Sequence, residues 1–216
     1  PRDGLEIRTN TARLLRYRRM ILELLLAAHE CDCTVCSKSG SCRLQMLAHR
    51  YGVKRVRFED TRERLPQDES SYAIIRNPNK CILCGDCVRV CREIQGMGIL
   101  DFVNRGSEAR GRPAFNEPMI HTRCISCGQC AAVCPTNAIR VRRHIDDVWR
   151  AIFDPKKRVV AQIAPAVRVA LGERFGLEPG VNSIGKVVAA LRTLGFDHVT
   201  DTTLGADFTV MEEAAE

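Results

Sequence analysis

Eleven of the twelve cysteines in this 216-residue chain fall into three sets whose spacing suits iron–sulfur ligation. Two sets share one form: Cys81-x2-Cys84-x2-Cys87-x3-Cys91, and Cys124-x2-Cys127-x2-Cys130-x3-Cys134 followed by Pro135. In the bacterial run of this form the fourth cysteine serves the other cluster. The spacing therefore assigns Cys81, Cys84, Cys87 and Cys134 to one 4Fe–4S cluster and Cys91, Cys124, Cys127 and Cys130 to another. Such crossing staples two half-repeats together and keeps the clusters near enough for fast electron transfer. The third set is His29-x3-Cys33-x2-Cys36-x5-Cys42, which predicts a third cubane. Gly85 and Gly128, between ligands, let backbone amides approach the cluster sulfurs, and such hydrogen bonds help set a potential.

A lone histidine is usually structural, but His29 precedes three cysteines that need a fourth ligand. A neutral imidazole in place of a thiolate lowers the negative charge of a cluster, which raises its potential. Cys31 is the alternative fourth ligand; the spacing is complete without it, which leaves it as a spare thiol. Zinc is the competing metal, yet zinc sites commonly pair two distant C-x-x-C dyads. His49, His121, His144 and His198 have no ligand-like company. No P-loop and no strand-linked G-x-G-x-x-G is present, so no nucleotide site is expected. Asp146 and Asp147, like Glu212 and Glu213, read as charged helix faces, and no residue group reads as a self-contained catalytic centre.

Cysteine this abundant could mean a secreted disulfide scaffold. Clustering as C-x-x-C, the lack of an apolar segment at the start and the absence of cysteine after Cys134 argue instead for a reducing cytoplasm. No apolar run reaches the roughly 18 residues that span a bilayer. Residues 1–158 carry a formal charge of +11 and residues 159–216 one of −4. Thiolates held on three clusters would offset about five of those positive charges, since a four-thiolate 2+ core carries about −2 and a histidine-ligated one about −1. The excess is thus largely internal compensation; nucleic acid is not expected, and the remaining basic surface suits an acidic electron carrier.

These sites need elements to hold them. Residues 4–8 read as a short strand. Thr9, Asn10 and Thr11 are N-cap candidates for a helix to about Ala28, with His29 at its end and Cys31, Cys33 and Cys36 in the following loop. Cys42 opens a second helix that ends near Gly52. Residues 53–58 alternate like a strand, and 60–71 read as a linker. Residues 72–143 form an internal repeat, each half with a cysteine run, short helices through Val88–Ile94 and Ala131–Val133, and strands at Ile99–Val103 and Ala138–Val141. Pro135 bars a helix from continuing past Cys134. Beyond Asp154-Pro155 the pattern turns to strands (158–163, 198–200) alternating with helices (165–175, 184–194 and from 208), a parallel α/β arrangement. The expected class is α+β: a cluster domain with one histidine and three cysteine ligands at 10–65, a two-cluster ferredoxin-like domain at 66–150, and an incomplete parallel α/β domain at 151–216. Residues 1–9 would be the remnant of a preceding 2Fe–2S domain.

Together these segments resemble the FeFe-hydrogenases. They are also similar to the large iron–sulfur subunit of complex I and to small diaphorase subunits of NAD-linked hydrogenases. The tail separates these: Val160-Ala-Gln-Ile-Ala-Pro-Ala-Val-Arg-Val-Ala-Leu, Glu173-x-Phe175-Gly176, Ala190-Leu-x3-Gly195-Phe196-Asp197 and Gly205-Ala-Asp-Phe-Thr-Val-Met-Glu-Glu-Ala resemble the opening of the FeFe-hydrogenase catalytic domain. The resemblance implies the hydrogen-handling subunit of a multimeric, NAD- and ferredoxin-linked, electron-bifurcating hydrogenase. It implies a flavin- and NAD-binding diaphorase-type partner, a small 2Fe–2S subunit and ferredoxin in a hetero-oligomer. No Thr-Ser-Cys-Cys-Pro segment occurs, so the H-cluster and a 2Fe–2S cluster would lie outside these residues, or hydrogen would be activated on a separate subunit. The expected role is an electron relay through three 4Fe–4S clusters. The alternative is an iron–sulfur subunit without an H-cluster, in a NiFe-hydrogenase or an NADH- or formate-linked oxidoreductase.

Overall fold

The structure, a computed structural model, describes residues 3–215. It divides into two compact units, Pro1–Arg142 and Arg143–Glu216.

The first unit opens on helix α1 (Ala12–Ala27), capped by Thr11, whose hydroxyl accepts from Leu14 N at 3.3 Å and so satisfies one of the first-turn amides. After the loop comes α2 (Arg43–Arg50), with Cys42 in the N-cap position. The two helices pack together and bury Leu22 and Leu44. Residues 4–8 and 53–58, expected as strands, are irregular. Alternation makes a strand only where a ladder partner exists, and neither segment finds one. Residues 53–58 are held by a side chain instead: Arg57 Nε lies 2.6 Å from Glu23 Oε2, a carboxylate 3% exposed on α1. The 60–71 stretch is irregular but pinned rather than loose. Leu65 N donates to Asn79 Oδ1 at 3.0 Å, and Asn79 Nδ2 donates to Leu65 O at 2.8 Å.

The repeat follows. Strand β1 (Ile74–Arg76) is followed by helix α3 (Asp86–Arg89), which runs on through a wider π-type turn at Val90–Ile94. A hairpin of β2 (Asp101–Val103) and β3 (Arg110–Arg112) separates this half from α4 (Gln129–Val133) and β4 (Ile139–Val141). β1 pairs antiparallel with β4, Ile74 opposite Val141 and Arg76 opposite Ile139, so the first strand of one half closes on the last strand of the other. Ile74, Val88, Leu100, Met119, Ala131 and Ile139 form the shared core, and Cys134 is buried with them.

The second unit carries α5 (Ile145–Ile152), β5 (Val160–Ile163), α6 (Val167–Ala170) with a tighter turn to Phe175, α7 (Ile184–Leu194), β6 (His198–Asp201) and α8 (Thr202–Glu213). β5 and β6 pair in parallel from Val160–His198 to Ile163–Asp201, as strands joined by a helical crossover should. Gly195 ends α7 at φ 104°, and a Cβ there would stand 2.9 Å from Ile152 Cγ2, so both conformation and space require glycine. α8 begins at Thr202, earlier than the expected start near Phe208, because the Asp201 carboxylate caps it by accepting from Thr203 N at 3.0 Å.

Candidate metal centres

The eight repeat cysteines line two cavities, four sulfurs in each. Cys81, Cys84, Cys87 and Cys134 share the first with Arg76 and Thr136. Cys91, Cys124, Cys127 and Cys130 share the second with Ile74, Leu100 and Met119. Each cavity thus takes three cysteines from one run and one from the other. The local backbone explains how. The residue before the second cysteine adopts positive φ in both runs, 57° at Leu83 and at Ser126. Gly85 and Gly128 follow at φ 78° and 72° as the N-caps of α3 and α4. This left-handed pair curls each C-x-x-C around a common point and starts a helix that carries the third cysteine inward. Pro135 stops α4 at Cys134, whose sulfur then accepts from Ile139 N at 3.4 Å. Cys81 Sγ accepts from Leu83 N at 3.4 Å, and Cys91 Sγ from Ile99 N at 3.3 Å.

Burial pushes the Cys87 thiol up to about 12 and the Cys130 thiol up to about 11, with repulsion from the other cysteines of the same cavity added. Cys81 and Cys84 are raised for the same first reason, loss of water around the thiolate. Thiolates here need a cation beside them, and bound iron is the kind of charge that reverses the penalty. Among the described residues, no three Cys, His or acidic side chains stand close enough to share a single ion. A cubane asks for a different arrangement, one protein ligand per iron around a larger inorganic body, and four sulfurs enclosing a cavity fit that demand.

His29, Cys33, Cys36 and Cys42 are strung along the end of α1, the loop and the start of α2. His29 is only 8% exposed. Its Nδ1 stands 3.0 Å from the Lys80 carbonyl. A carbonyl only accepts, so Nδ1 carries the hydrogen and Nε2 keeps the lone pair that a metal would use. Burial holds the imidazolium below its ordinary value, which favours the neutral, metal-binding form. The Cys31 thiol points its hydrogen at Leu26 O, 3.8 Å away, and burial raises its pKa. The loop is docked on the repeat beside the first cavity. Lys80 Nζ pairs with Asp32 at 2.7 Å, Asn77 Nδ2 donates to Glu30 at 2.7 Å, and Asn137 Nδ2 points at Cys36 Sγ from 3.6 Å. Thr136 Oγ1 donates to the same Lys80 carbonyl at 2.8 Å. Sequence reasoning missed Arg76, Asn77, Lys80 and Asn137. Arg76 shares the inward face of β1 with Ile74, but a strand of three residues is too short for its alternation to have marked it.

Comparisons with known proteins find iron–sulfur domains over the same stretches. Residues 157–216 match the family described as iron only hydrogenase large subunit, C-terminal domain. Residues 18–57 match the NADH-ubiquinone oxidoreductase-G iron–sulfur binding region, and 80–138 match the 4Fe–4S dicluster domain. The chain is 47% identical over 214 residues to the NADP-reducing hydrogenase subunit HndD of Solidesulfovibrio fructosivorans, covering 99% of this chain and 37% of that protein. It is 34% identical to iron hydrogenase 1 of Clostridium pasteurianum, again over 99% of this chain and 38% of the relative. It therefore spans well under half the length of either. Among solved structures, the crystal structure of an NAD+-reducing NiFe-hydrogenase in the H2-reduced state matches at a TM-score of 0.61 and 31% identity, covering 66% of this chain and 61% of that one. Over the region that it spans, the chain is similar to FeFe-hydrogenases, as an iron–sulfur segment leading into the start of the C-terminal domain.

Proposed function

We propose that this chain is an electron relay of a hydrogenase complex, holding three 4Fe–4S clusters on His29, Cys33, Cys36 and Cys42; on Cys81, Cys84, Cys87 and Cys134; and on Cys91, Cys124, Cys127 and Cys130. The observation that carries it is the lining of each repeat cavity by three cysteines of one run and one of the other. When bound, such clusters take up and release one electron at a time. The chain's own residues do the rest. Thiolates supply negative charge, backbone amides at Leu83, Ile99 and Ile139 donate to sulfurs, and the Lys80 carbonyl orients His29.

The hydrogen and NAD(P) ends are read from the relatives' names, and the other carriers from the family resemblance of the sequence. A hydrogen-activating site would stand at one end, beyond these residues or on a separate subunit. A flavin- and NAD(P)-linked subunit, a small 2Fe–2S subunit and ferredoxin would serve the other, as a cytoplasmic, bifurcating hetero-oligomer. Among the described residues no helix is long and apolar enough to cross a membrane. A second reading, an iron–sulfur component of an NADH-quinone oxidoreductase, has support from 37% identity to such a component in Rhizobium meliloti, but that match covers 63% of this chain. The tail's own match, residues 157–216, favours the hydrogenase reading.

The test is anaerobic iron and sulfide assay with EPR on the reduced protein. About twelve iron and twelve sulfide per chain are expected. Saturation at about eight, with Cys33, Cys36 and Cys42 open to alkylation, would remove the histidine-ligated site.

A further inference from the structure

Among the described residues, one buried side-chain polar atom lacks a partner: Arg76 Nε. An orphaned buried donor costs its full desolvation penalty, and more when charged, so its retention points to a partner that belongs there. Arg76 is 7% exposed and lines the first cysteine cavity. The rest of its guanidinium is lightly used. Nη1 donates to Gly111 O at 2.9 Å, and Nη2 stands 3.6 Å from Asp68 Oδ2, too long for a strong charge-assisted bond. Asp68 is occupied elsewhere: it accepts from Ser70 Oγ at 2.6 Å and from Met119 N at 3.1 Å. The arginine charge is therefore incompletely neutralised by protein. Arginine does not shed its proton in proteins, so the charge is permanent.

The second cavity has nothing equivalent. No charged side chain lines it; Ile74, on the same face of β1 as Arg76, lines it, as does Met119, which stands five residues before Cys124 as Arg76 does before Cys81. We propose that Arg76 is the positioning residue that separates the two ferredoxin-type sites. Its Nε–H donates to the sulfur-bearing group held by Cys81, Cys84, Cys87 and Cys134, and its charge raises that group's reduction potential above its twin's. A buried cation beside a core of about −2 stabilises the more negative, reduced state, and hydrogen bonds to sulfur act in the same direction. The electron would then rest preferentially on the site beside the His29 loop. The proposal rests on the cluster assignment given above, so its test reads the two apart.

The experiment is an EPR-monitored redox titration of the cluster-loaded protein in its complex, with signals assigned through Cys84→Ser and Cys127→Ser. Iron content is measured on every sample. Arg76→Met is expected to lower the first site's reduction equilibrium at least tenfold, about 59 mV for one electron, and to leave the second unmoved. Arg76→Lys should recover part of the loss, and Asp68→Asn, which frees the cation, should raise the potential. Unchanged potentials in Arg76→Met with full iron, or equal movement of both sites, overturn the proposal. If Arg76→Met does not load, Arg76→Lys and Asp68→Asn carry the test, and no shift in either overturns it. Protein labelled with 15Nε-arginine should show a nitrogen coupling in the first site's pulsed EPR that Arg76→Lys abolishes; its absence from the loaded parent overturns the Nε contact. A failed cluster assignment reads differently: no signal answers to Cys84→Ser, and iron falls short by about four.

Discussion

The two halves of the internal repeat carry the same run of four cysteines on nearly the same backbone, yet they surround it differently. Leu83 and Ser126 share a φ of 57°, and the glycine caps agree within a few degrees. Both linings are largely apolar, but the first includes the charged Arg76 with Asn77 and Thr136, whereas the polar side chains of the second, Gln95, Ser126 and Gln129, are all neutral. The shared geometry brings four cysteines round each cavity, the arrangement that the proposed cubanes would demand. The difference lies outside the cysteines, in charge, where a protein sets potential without touching the coordination. The repeat supplies two cavities of like backbone, and their linings make the environments unequal.

The hardest way to break this comparison is to remove the cysteine that each half lends to the other. Cys134→Ala should cost the site of the first run, and Cys91→Ala the site of the second. Each should lower iron from about twelve to about eight per chain. If Cys134→Ala instead removes the signal that Cys127→Ser perturbs, the crossed assignment is wrong, and the cavities do not correspond to clusters.

A smaller effect separates the histidine site from both halves. Cys31→Ser should leave iron content and spectrum intact, because the Cys31 thiol turns to Leu26 O and the set of four is complete without it. His29→Cys should retain a cluster but lower its potential, since a thiolate adds a negative charge and the bond to Lys80 O is lost. Redox titration of the two variants gives the answer; loss of that cluster in Cys31→Ser alone would reverse the ligand choice.

Much of this was legible in the sequence, and the boundary has physical reasons. Cysteine spacing is local, so the crossed sets could be written down before any coordinates. The Thr11 cap and the stop at Gly195 are local signals as well. Three-residue strands such as β1 and β3 offer barely one period of alternation, too little to stand out. Residues 53–58 offered more and still formed no strand, because a ladder needs a partner and Arg57 found Glu23 instead. Lys80 and Asp32 lie 48 positions apart. Nothing in either neighbourhood announces that one will reach the other, and the docking of the His29 loop depends on that kind of long-range pair.

Acidity offers a quieter contrast. In metal-free protein, Cys87 and Cys130 titrate in the folded state above the ordinary thiol value of 9.0, at about 12 and about 11. The unfolded chain loses those protons first as pH rises past 9.0, so the apo fold is fully stabilised below that value and destabilised through the interval above it. Each such thiol contributes up to about 1.4 kcal/mol per pH unit. The window should close near 11 for Cys130 and near 12 for Cys87. Urea melts of apo protein between pH 8 and 10.5 are expected to show falling stability, with Cys87→Ala blunting the fall. Loaded protein, already deprotonated at sulfur, should be flat over the same range.

The smallest difference is at the two capping glycines. Both sit in the left-handed region, so alanine at either should cost about 1–2 kcal/mol from backbone conformation alone. What distinguishes them is space. A Cβ on Gly128 meets nothing within 4 Å, whereas one on Gly85 meets Arg89 Nη1 at 3.1 Å and the Phe102 ring at 3.4 Å. The arginine tip is the far end of a flexible, exposed side chain and can swing aside, and 3.4 Å is ordinary contact for the ring. Gly85→Ala should therefore exceed Gly128→Ala by only a few tenths of a kcal/mol, the size of a surface rearrangement. Chemical denaturation of the two loaded variants decides it. A gap above about 1 kcal/mol would mean that Arg89 and Phe102 are held in place. The first site would then be the more rigid as well as the more highly charged.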